Sequence, residues 1–407
     1  MQWLMKTIMS MKIATGKGYV PLITLVAIMS ISAIVSLPGL AISPILNYID
    51  TIFPHASRLE VEMLESLPSL MIIPFMLLAG RWSVRISKLR LLVIGTAIFF
   101  LSGVGCIVSR TLVELIVTSS LLGIGAGIII PLSTGLIVDY FTGDRRVSML
   151  GISSAVNNLT LVLATFAVGY LADIEWHFAF VVYLLPLVTL LLVPALSHTP
   201  PVPEPEHGAQ HRQTSVNAKV IVGLMALYFV ITYCSLVVTF NTSYIVGDNH
   251  LDANLSGTII SLFFLAIMLP GFMLNAIVRR CGKWVNLWSL LIMGVGLMVM
   301  AMPHPSALSL CVGAVLTGVG YGVMQPIIYD KAATNAPPHL ATYALAIVMA
   351  INYLAILLAP FIIDGFDALF DNRSATFAFL LNAIITLLLA LVALFLAPRS
   401  RVLGSDD

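Results

Sequence analysis

Long apolar runs separated by short polar turns make up most of the chain. A helix needs about 20 mostly apolar residues to cross about 30 Å of hydrocarbon. The pattern predicts twelve membrane-spanning helices, at residues 19–46, 60–80, 91–108, 112–139, 147–172, 178–197, 219–246, 255–278, 284–302, 307–329, 340–363 and 374–397. The first run is too long for the apolar region of a cleaved signal peptide, so we interpret it as a span.

The second half of the pattern repeats the first at an offset of 195 residues. Gly123–Pro131 reads Gly-x-Gly-x-Gly-x-x-x-Pro, and the same spacing returns in Gly318–Pro326. Likewise, Ala155–Leu159 (AVNNL) returns as Ala350–Leu354 (AINYL). We therefore predict an all-α membrane protein built from two pseudo-symmetric six-helix bundles, an arrangement suited to alternating access. The two bundles and the cytoplasmic linker between them are residues 1–197, 219–407 and 198–218.

The composition indicates that most of the chain lies in the lipid bilayer. Charged residues make up 10% of it and hydrophobic residues 59%, whereas soluble domains have roughly 25% charged residues. The net charge of +1 is no argument for a nucleic-acid partner. The four cysteines are scattered without metal-ligand spacing, so neither a disulfide nor a metal site is predicted. His207 and His211 lie in the Pro-rich linker, where a solvated segment is favoured over metal ligation.

The positions of the basic residues predict the orientation. With both termini in the cytoplasm, 17 of the 20 Lys and Arg residues fall on the inside, as the positive-inside rule requires. Only Arg58, Arg110 and Arg373 are left outside. The prediction is a multi-pass protein of a bacterial inner membrane.

Two basic turns carry a family resemblance. Residues 80–88 (GRWSVRISK) resemble the Gly-x-x-x-Asp-Arg-x-Gly-Arg loop of the major facilitator superfamily, and residues 278–283 (VRRCGK) resemble its second-half counterpart. With the twelve spans and the linker, the resemblance covers essentially the whole chain and implies alternating-access transport. The loop's usual Asp is Val84 here, and its second Gly is Ser87.

The basic turns suggest a cytoplasmic gate. Arg85 and Lys88 lie near the cytoplasmic end of span 4, where Asp139 can accept a charge-assisted hydrogen bond and latch the halves on the inside. Arg280 and Lys283 are the matching cations of the second half. The alternative is that these cations only fix the topology.

Two signatures of drug/proton antiporters are absent. The span-4 position of their Arg is Ser119, and their span-5 Gly-Pro pair is replaced by residues 163–166 (LATF). The short loops and the length of about 400 residues still resemble bacterial efflux carriers of the superfamily more than sugar-uptake carriers.

The glycine run could suggest a nucleotide site, but it lies inside an apolar helix without a preceding strand. Small residues at this spacing instead let helices approach closely. Pro131 and Pro326 each remove a backbone donor and permit a kink at matching depths.

Few ionisable residues interrupt the spans, and each is costly in lipid. Glu65 lies 15 residues from Gly80, or about 22 Å along span 2, in the outer third of the membrane. Glu62 lies one turn further out and follows Arg58 by four residues, as in a surface pair. We interpret Glu65, with Glu62 as the lesser candidate, as a proton-coupling or cation-recognition group, and a solvated Glu in the outer vestibule as the alternative.

Span 10 carries a polar and aromatic stripe. Thr317, Tyr321, Gln325 and Tyr329 recur every four residues, whereas their span-4 counterparts are Leu122, Ala126, Ile130 and Thr134. Such a face can orient a partly apolar ligand, or it can merely bond neighbouring helices together.

Amides supply further candidates for the cavity. Asn157 and Asn352 occupy matching positions in spans 5 and 11, with Asn158 beside the first and Tyr353 beside the second. A buried amide needs hydrogen-bond partners, so we expect these asparagines to bond across the interface between the halves or to line the path. Their symmetry favours gating or packing over substrate choice. Weaker cavity candidates in span 7 are Tyr233 and Asn241.

The combined prediction is a monomeric secondary transporter of a small neutral, amphipathic or cationic organic molecule, by proton-coupled efflux. Since no ATP-hydrolysing motif, cofactor site, metal cluster or nucleophile-base set is recognisable, no enzyme is predicted. The alternatives are uptake of a small neutral solute and a receptor or scaffold that keeps the fold without transporting.

Overall fold

The computed structural model describes residues 12–16, 18–38, 49, 52–53, 58–197, 216–251, 254–372, 374–396 and 402. Almost the whole predicted linker, with His207 and His211, lies outside these ranges. The backbone of the second helix includes Glu62 and Glu65, but their side chains are outside the described part.

Helices dominate the described chain, and they follow the predicted spans in order. They are α1 (Leu22–Ile34), α2 (Arg58–Trp82), α3 (Lys88–Val108), α4 (Leu112–Tyr140), α5 (Gly143–Ile174), α6 (Pro186–Ser197), α7 (Ala218–Asp248), α8 (Asn254–Cys281), α9 (Val285–Met300), α10 (Ala307–Thr334), α11 (Ala341–Phe370) and α12 (Ala375–Leu396). Short 3-10 helices lie at Trp176–Leu184, Gly282–Trp284 and Pro338–Leu340.

Nine described stretches are long and apolar enough to cross a membrane, and one of them, Leu255–Met300, contains both α8 and α9. The stretches Leu22–Ile34 and Leu67–Trp82 are apolar but shorter. Large apolar side chains are exposed at helical spacing, as on α5 at Leu163, Phe166 and Tyr170. Apolar side chains on the outer surface are expected where lipid is the solvent. The predicted all-α membrane fold is confirmed, and twelve crossings are consistent with it.

A small hairpin precedes α1. Strand β1 (Lys12–Ala14) pairs antiparallel with β2 (Tyr19–Pro21), so the first predicted span begins as a strand rather than a helix. The amide of Thr142 donates to the carbonyl of Thr15 at 2.9 Å, which fastens the turn to the α4–α5 connection. Gly16 adopts a φ of +101°, and a Cβ there would lie 2.7 Å from the carbonyl oxygen of Thr142. A residue with a side chain is therefore excluded from this turn.

The first compact unit comprises Met1–Met149, Val156–Val216 and Ala333–Tyr353. In this unit, α2 and α3 pack against α4. The glycines of α4 make this packing close: a Cβ on Gly123 would meet the backbone of Pro68, one on Gly125 would meet Phe99, and one on Gly127 would meet Ile72.

The second compact unit comprises Leu150–Ala155, Asn217–Ala332 and Leu354–Asp407. In it, α12 packs against α9 and α7. On α10, a Cβ on Gly318 would meet the backbone of Phe263, and one on Gly322 would meet Ile267. These partners are the residues that lie 195 positions after Pro68 and Ile72, so the repeat extends to individual packing contacts.

Val402, which follows α12, packs against other helices of the second unit. The ammonium of Lys331, which is only 5% exposed, donates to the carbonyl of Val402 at 2.9 Å. The side chain of Val402 packs over Gly223, where an added Cβ would lie 2.8 Å from Cγ2 of Val402. Val402 thus lies beside the start of α7 and the end of α10, as the predicted cytoplasmic location of these ends requires.

Candidate functional site

The stripe predicted on α10 meets α7 within the second unit. The hydroxyl groups of Tyr329 and Tyr228 are 2.6 Å apart, and their rings meet edge to face with centroids 5.6 Å apart. The amide nitrogen of Gln325 donates to the hydroxyl oxygens of Tyr228 at 3.1 Å and of Tyr329 at 3.3 Å. Each polar group thus constrains the others, which gives the arrangement a defined shape.

A residue of α5 completes this arrangement. The hydroxyl of Ser154 donates to the carbonyl oxygen of Gln325 at 3.2 Å. Ser154 belongs to the second unit, which includes Leu150–Ala155. We call Ser154, Tyr228, Gln325 and Tyr329 the tyrosine–glutamine cluster.

A second contact between α7 and α10 lies further along the two helices. The hydroxyl groups of Thr232 and Tyr321 are 3.4 Å apart. Thr232 lies one helical turn after Tyr228, and Tyr321 lies one turn before Gln325, as expected for antiparallel neighbours. Thr317 ends the polar part of the stripe: it is fully buried, and its hydroxyl donates to the carbonyl of Gly313 in its own helix.

The tyrosine–glutamine cluster contains no charged group. Tyr228 is fully buried, whereas Gln325 and Tyr329 are partly exposed. Phenol and amide groups both donate and accept hydrogen bonds, and the rings offer apolar faces. The cluster can therefore hold a neutral or partly apolar ligand, and its aromatic faces also suit a cation. Among the described residues, no group of three or more His, Cys, Asp or Glu residues could hold a metal ion.

Sequence reasoning identified Gln325, Tyr321 and Tyr329 but missed their partners on α7. The two weaker candidates of this helix, Tyr233 and Asn241, are buried, with Asn241 nearer the other end of α7, and their role in a cavity stays a prediction. Tyr228 and Thr232 are four residues apart, so the same four-residue spacing that marked α10 was available in span 7.

The asparagines predicted in spans 5 and 11 are described in the first unit. Asn157 bonds to Ser36: its amide nitrogen donates to the serine hydroxyl at 2.8 Å, and its carbonyl oxygen accepts from the serine backbone amide at 3.2 Å. Asn158 is buried, and Asn352 and Tyr353 are half-buried. No direct role in a cavity follows from these positions, so that role stays a prediction.

The cytoplasmic cations differ between the repeats. The ammonium of Lys88 lies 2.6 Å from the carboxylate of Asp139, which joins the start of α3 to the end of α4. Lys283, the counterpart of Lys88, instead lies over the ring of Trp284 at 5.7 Å. The counterpart of Asp139 is Thr334, so the ion pair has no equivalent at the matching positions.

Arg85 and Arg280 are both exposed. Exposed cations are what topology alone would require. Lys88 and Asp139 both belong to the first unit, so their ion pair joins two helices of that unit. The gate role of Arg85, Lys88, Asp139, Arg280 and Lys283 stays a prediction.

Comparison with known sequences identifies a family. The profile of the Major Facilitator Superfamily matches the chain twice, at residues 20–230 and 221–406.

Two curated proteins of Bacillus subtilis (strain 168) are similar over part of their length. Multidrug resistance protein 3 is 29% identical over 102 residues, which are 25% of this chain and 20% of that protein. Multidrug transporter protein MdtP is 30% identical over 108 residues, 26% of this chain and 20% of that protein. The matched stretches span about a fifth of these relatives.

Solved structures share the fold over nearly the whole chain. The proton:xylose symporter XylE bound to 6-bromo-6-deoxy-D-glucose superposes with a TM-score of 0.69 at 16% identity, covering 92% of this chain and 95% of that one. The human organic anion transporter MFSD10 (TETRAN) superposes with a TM-score of 0.70 at 15% identity, covering 91% and 97%. At such identities, the likeness concerns the fold alone.

Proposed function

The chain belongs to the Major Facilitator Superfamily, and from this premise we propose that it exports a small neutral, amphipathic or cationic organic molecule by proton-coupled alternating access. The observation that carries the proposed substrate class is the uncharged tyrosine–glutamine cluster. Its members are held by hydrogen bonds of 2.6–3.3 Å, and Gln325 and Tyr329 remain partly exposed. A strongly anionic molecule would find no cation among these four side chains.

The relatives support export. Both matched Bacillus subtilis proteins carry multidrug names, and export of amphipathic compounds fits phenol rings beside an amide. The match covers only about a quarter of this chain, so the experiment must also admit uptake of a neutral solute.

We assign proton coupling to Glu65 of α2. A carboxyl group at that depth, in a poorly hydrated cavity, could take up a proton on one side of the membrane and release it on the other. In the same proposal, the Lys88–Asp139 pair is part of the cytoplasmic gate, and the protein works as a monomer in a bacterial inner membrane with both termini cytoplasmic.

Transport in proteoliposomes under an imposed pH gradient tests the proposal. Ethidium and tetraphenylphosphonium serve as cationic probes, and xylose serves as the neutral one. We expect a cationic probe to move against its gradient in exchange for protons. Proton-driven accumulation of xylose would replace export by uptake, and the absence of any flux would favour a receptor or scaffold.

Two substitutions test the residues. Tyr228→Phe removes a hydroxyl that bonds to both Gln325 and Tyr329, and it should lower kcat/KM for ethidium by about five- to tenfold. Tyr244→Phe is the matched control, because Tyr244 lies on the same helix with 69% of its surface exposed. Glu65→Gln should abolish pH-driven flux, and unchanged flux would reject this carboxyl as the coupling group.

A further inference from the structure

Helix α1 ends in an open turn. The helix stops at Ile34, and the next amides bond only loosely to it: Val35 to the carbonyl of Ser32, and Leu37 to the carbonyl of Ile34, each at 3.4 Å. Pro38 explains this end, because proline offers no amide hydrogen and disfavours a helical conformation at the residue before it.

Asn157 of α5 takes over the hydrogen bond that the helix loses. In a continuous helix the amide of Ser36 would donate to the carbonyl of Ser32, four residues earlier. It donates instead to the carbonyl oxygen of Asn157 at 3.2 Å. The amide nitrogen of Asn157 donates to the hydroxyl of the same serine at 2.8 Å. A backbone N–H can only donate, so this bond fixes which way the asparagine amide faces.

The two partners lie at the same depth. Ser36 is 14 residues past Leu22 (36 − 22), and Asn157 is 14 residues past Gly143 (157 − 143). Both helices begin at the predicted cytoplasmic side, so both residues lie about 21 Å along their helices. Non-helical backbone at such depth is tolerated only where protein buries it or where it lines a water-filled cavity. Leu37 and Pro38 are buried, whereas Ser36 is half-buried.

The matching helix of the second repeat has no such turn. The counterpart of Ser36 is Ile231, which lies inside the continuous helix α7. The counterpart of Leu37 is Thr232, which contacts Tyr321, and that of Ala33 is Tyr228 of the tyrosine–glutamine cluster. At the level where the second repeat offers polar side chains, the first repeat therefore offers an opened backbone.

We propose that Asn157 is a positioning residue for transport: its amide holds the end of α1 in the open turn, and that turn supplies polar backbone groups to the transported molecule. The carbonyl groups of Ser32 and Ile34 accept long bonds of 3.4 Å from the next amides. A carbonyl oxygen has two lone pairs, so the turn suits hydroxyl, ammonium or other hydrogen-bond donors. We call the two hydrogen bonds between Asn157 and Ser36 the clamp. The role in transport rests on the proposed function, whereas the clamp does not.

Four variants separate the effect of the clamp from the effect of the open turn. Asn157→Ala removes both hydrogen bonds, and Ser36→Ala removes only the bond to the hydroxyl. Asn157→Ala combined with Pro38→Ala lets α1 continue as a helix, so its amides no longer need the asparagine. Thr165→Val is the matched control on the same helix, because the hydroxyl of Thr165 donates to the carbonyl of Val162 within α5.

The clamp is measured without any substrate. Hydrogen exchange of the Ser36 amide should accelerate by about tenfold or more in Asn157→Ala, since a bond of this kind contributes about 1 kcal/mol or more once its donor is left unpaired. Ser36→Ala should leave the exchange of this amide near the wild-type rate. The double variant should restore slow exchange and the wild-type melting temperature. Wild-type exchange in Asn157→Ala would overturn the clamp.

The role in transport is measured with ethidium in proteoliposomes. Asn157→Ala should raise KM about tenfold, and the double variant should keep the raised KM although its stability is restored. Thr165→Val should change KM less than twofold. A double variant with wild-type KM would show that the open turn is dispensable and would overturn the proposal. If the wild-type protein moves no ethidium, the proposed function fails. Hydrogen exchange of the Ser36 amide still shows in that case whether the clamp exists.

Discussion

Helices α4 and α10 are matching parts of the two repeats, yet they agree in one property and differ in another. Both place a glycine run against backbone of the preceding helices, and the partners of the first and third glycines are themselves 195 residues apart. Their polar faces differ: α10 presents Tyr321, Gln325 and Tyr329 to α7, while the counterparts on α4 are Ala126, Ile130 and Thr134.

In the first repeat, the helices that match α7 and α10 are α1 and α4, and they meet through a pair of small hydroxyl side chains. The hydroxyl groups of Ser32 and Ser133 are 3.1 Å apart, and this pair is buried. The difference teaches that close approach is a shared structural requirement of both repeats, whereas the larger polar network of α7 and α10 exceeds what close packing needs. Four experiments can break or sharpen this comparison.

The largest effect is expected where the repeats agree. A Cβ on Gly320 would lie 2.5 Å from the carbonyl oxygen of Ser289, and one on Gly125 would lie 2.7 Å from the amide nitrogen of Phe99. Since backbone must shift in either case, Gly320→Ala and Gly125→Ala should each destabilise by about 2 kcal/mol or more. Melting temperature and folded yield in detergent measure this.

Gly257→Ala is the control for both glycine variants, because nothing lies within 4 Å of a Cβ at that helical position. Helix propensity alone predicts that it stabilises by about 0.5–1 kcal/mol. If one repeat tolerated its alanine as well as position 257 does, the structural equivalence of α4 and α10 would be wrong.

The next effect is expected where the repeats differ. Gln325→Ile gives α10 the residue that α4 carries at position 130. It removes hydrogen bonds to Ser154, Tyr228 and Tyr329, and ethidium kcat/KM should fall more than tenfold because polar partners are left unpaired. Ile130→Gln should not restore it. If Gln325→Ile transported ethidium as well as the wild type, the stripe would serve only to bond neighbouring helices together.

A smaller effect is expected at the cytoplasmic ends. Lys88 and Asp139 keep only about a fifth of their side-chain surfaces exposed, so the cost of desolvating both charges offsets most of their attraction, and we expect a net coupling of about 1 kcal/mol. A double-mutant cycle of Lys88→Met and Asp139→Asn should give a coupling energy of this size in thermal unfolding. Lys283→Met, which removes only the cation over Trp284, should change stability less. If Lys88→Met and Lys283→Met changed the stability equally, the proposed difference between the cytoplasmic ends of the two repeats would be wrong.

The smallest effect is expected at Thr317. Its hydroxyl donates within its own helix, so Thr317→Val should change ethidium transport less than twofold, with stability reduced by about 1 kcal/mol. Equal loss of transport in Thr317→Val and Gln325→Ile would extend the functional face along the whole stripe.

Much of the architecture could be predicted from local patterns. Apolar runs identify spans because lipid selects them by length and composition alone, and the repeat of Gly123–Pro131 in Gly318–Pro326 indicated close helix packing. Family membership, confirmed over nearly the whole chain, followed from the same patterns. The hairpin at Lys12–Pro21 was missed, because a three-residue strand carries little signal beside an apolar helix.

Of the two helices α7 and α10 that meet in the candidate site, only the residues of α10 could be predicted from the sequence. The stripe of α10 is periodic, so Gln325 and Tyr329 stand out in the sequence, whereas their partner on α7, Tyr228, was not predicted. A residue is turned about 100° around the helix axis from its sequence neighbour, because a turn holds 3.6 residues. Which side of α7 faces α10 depends on the packing of both helices against the rest of their unit.

The order of residues therefore dictated which segments enter lipid, where the chain duplicates and which faces are polar, since each is a property of neighbouring positions. Tertiary packing decided that Tyr228 meets Tyr329 and that Asn157 holds Ser36, 121 residues away. Such pairings depend on how several helices rotate against one another to bury their surfaces, and no single segment contains that information.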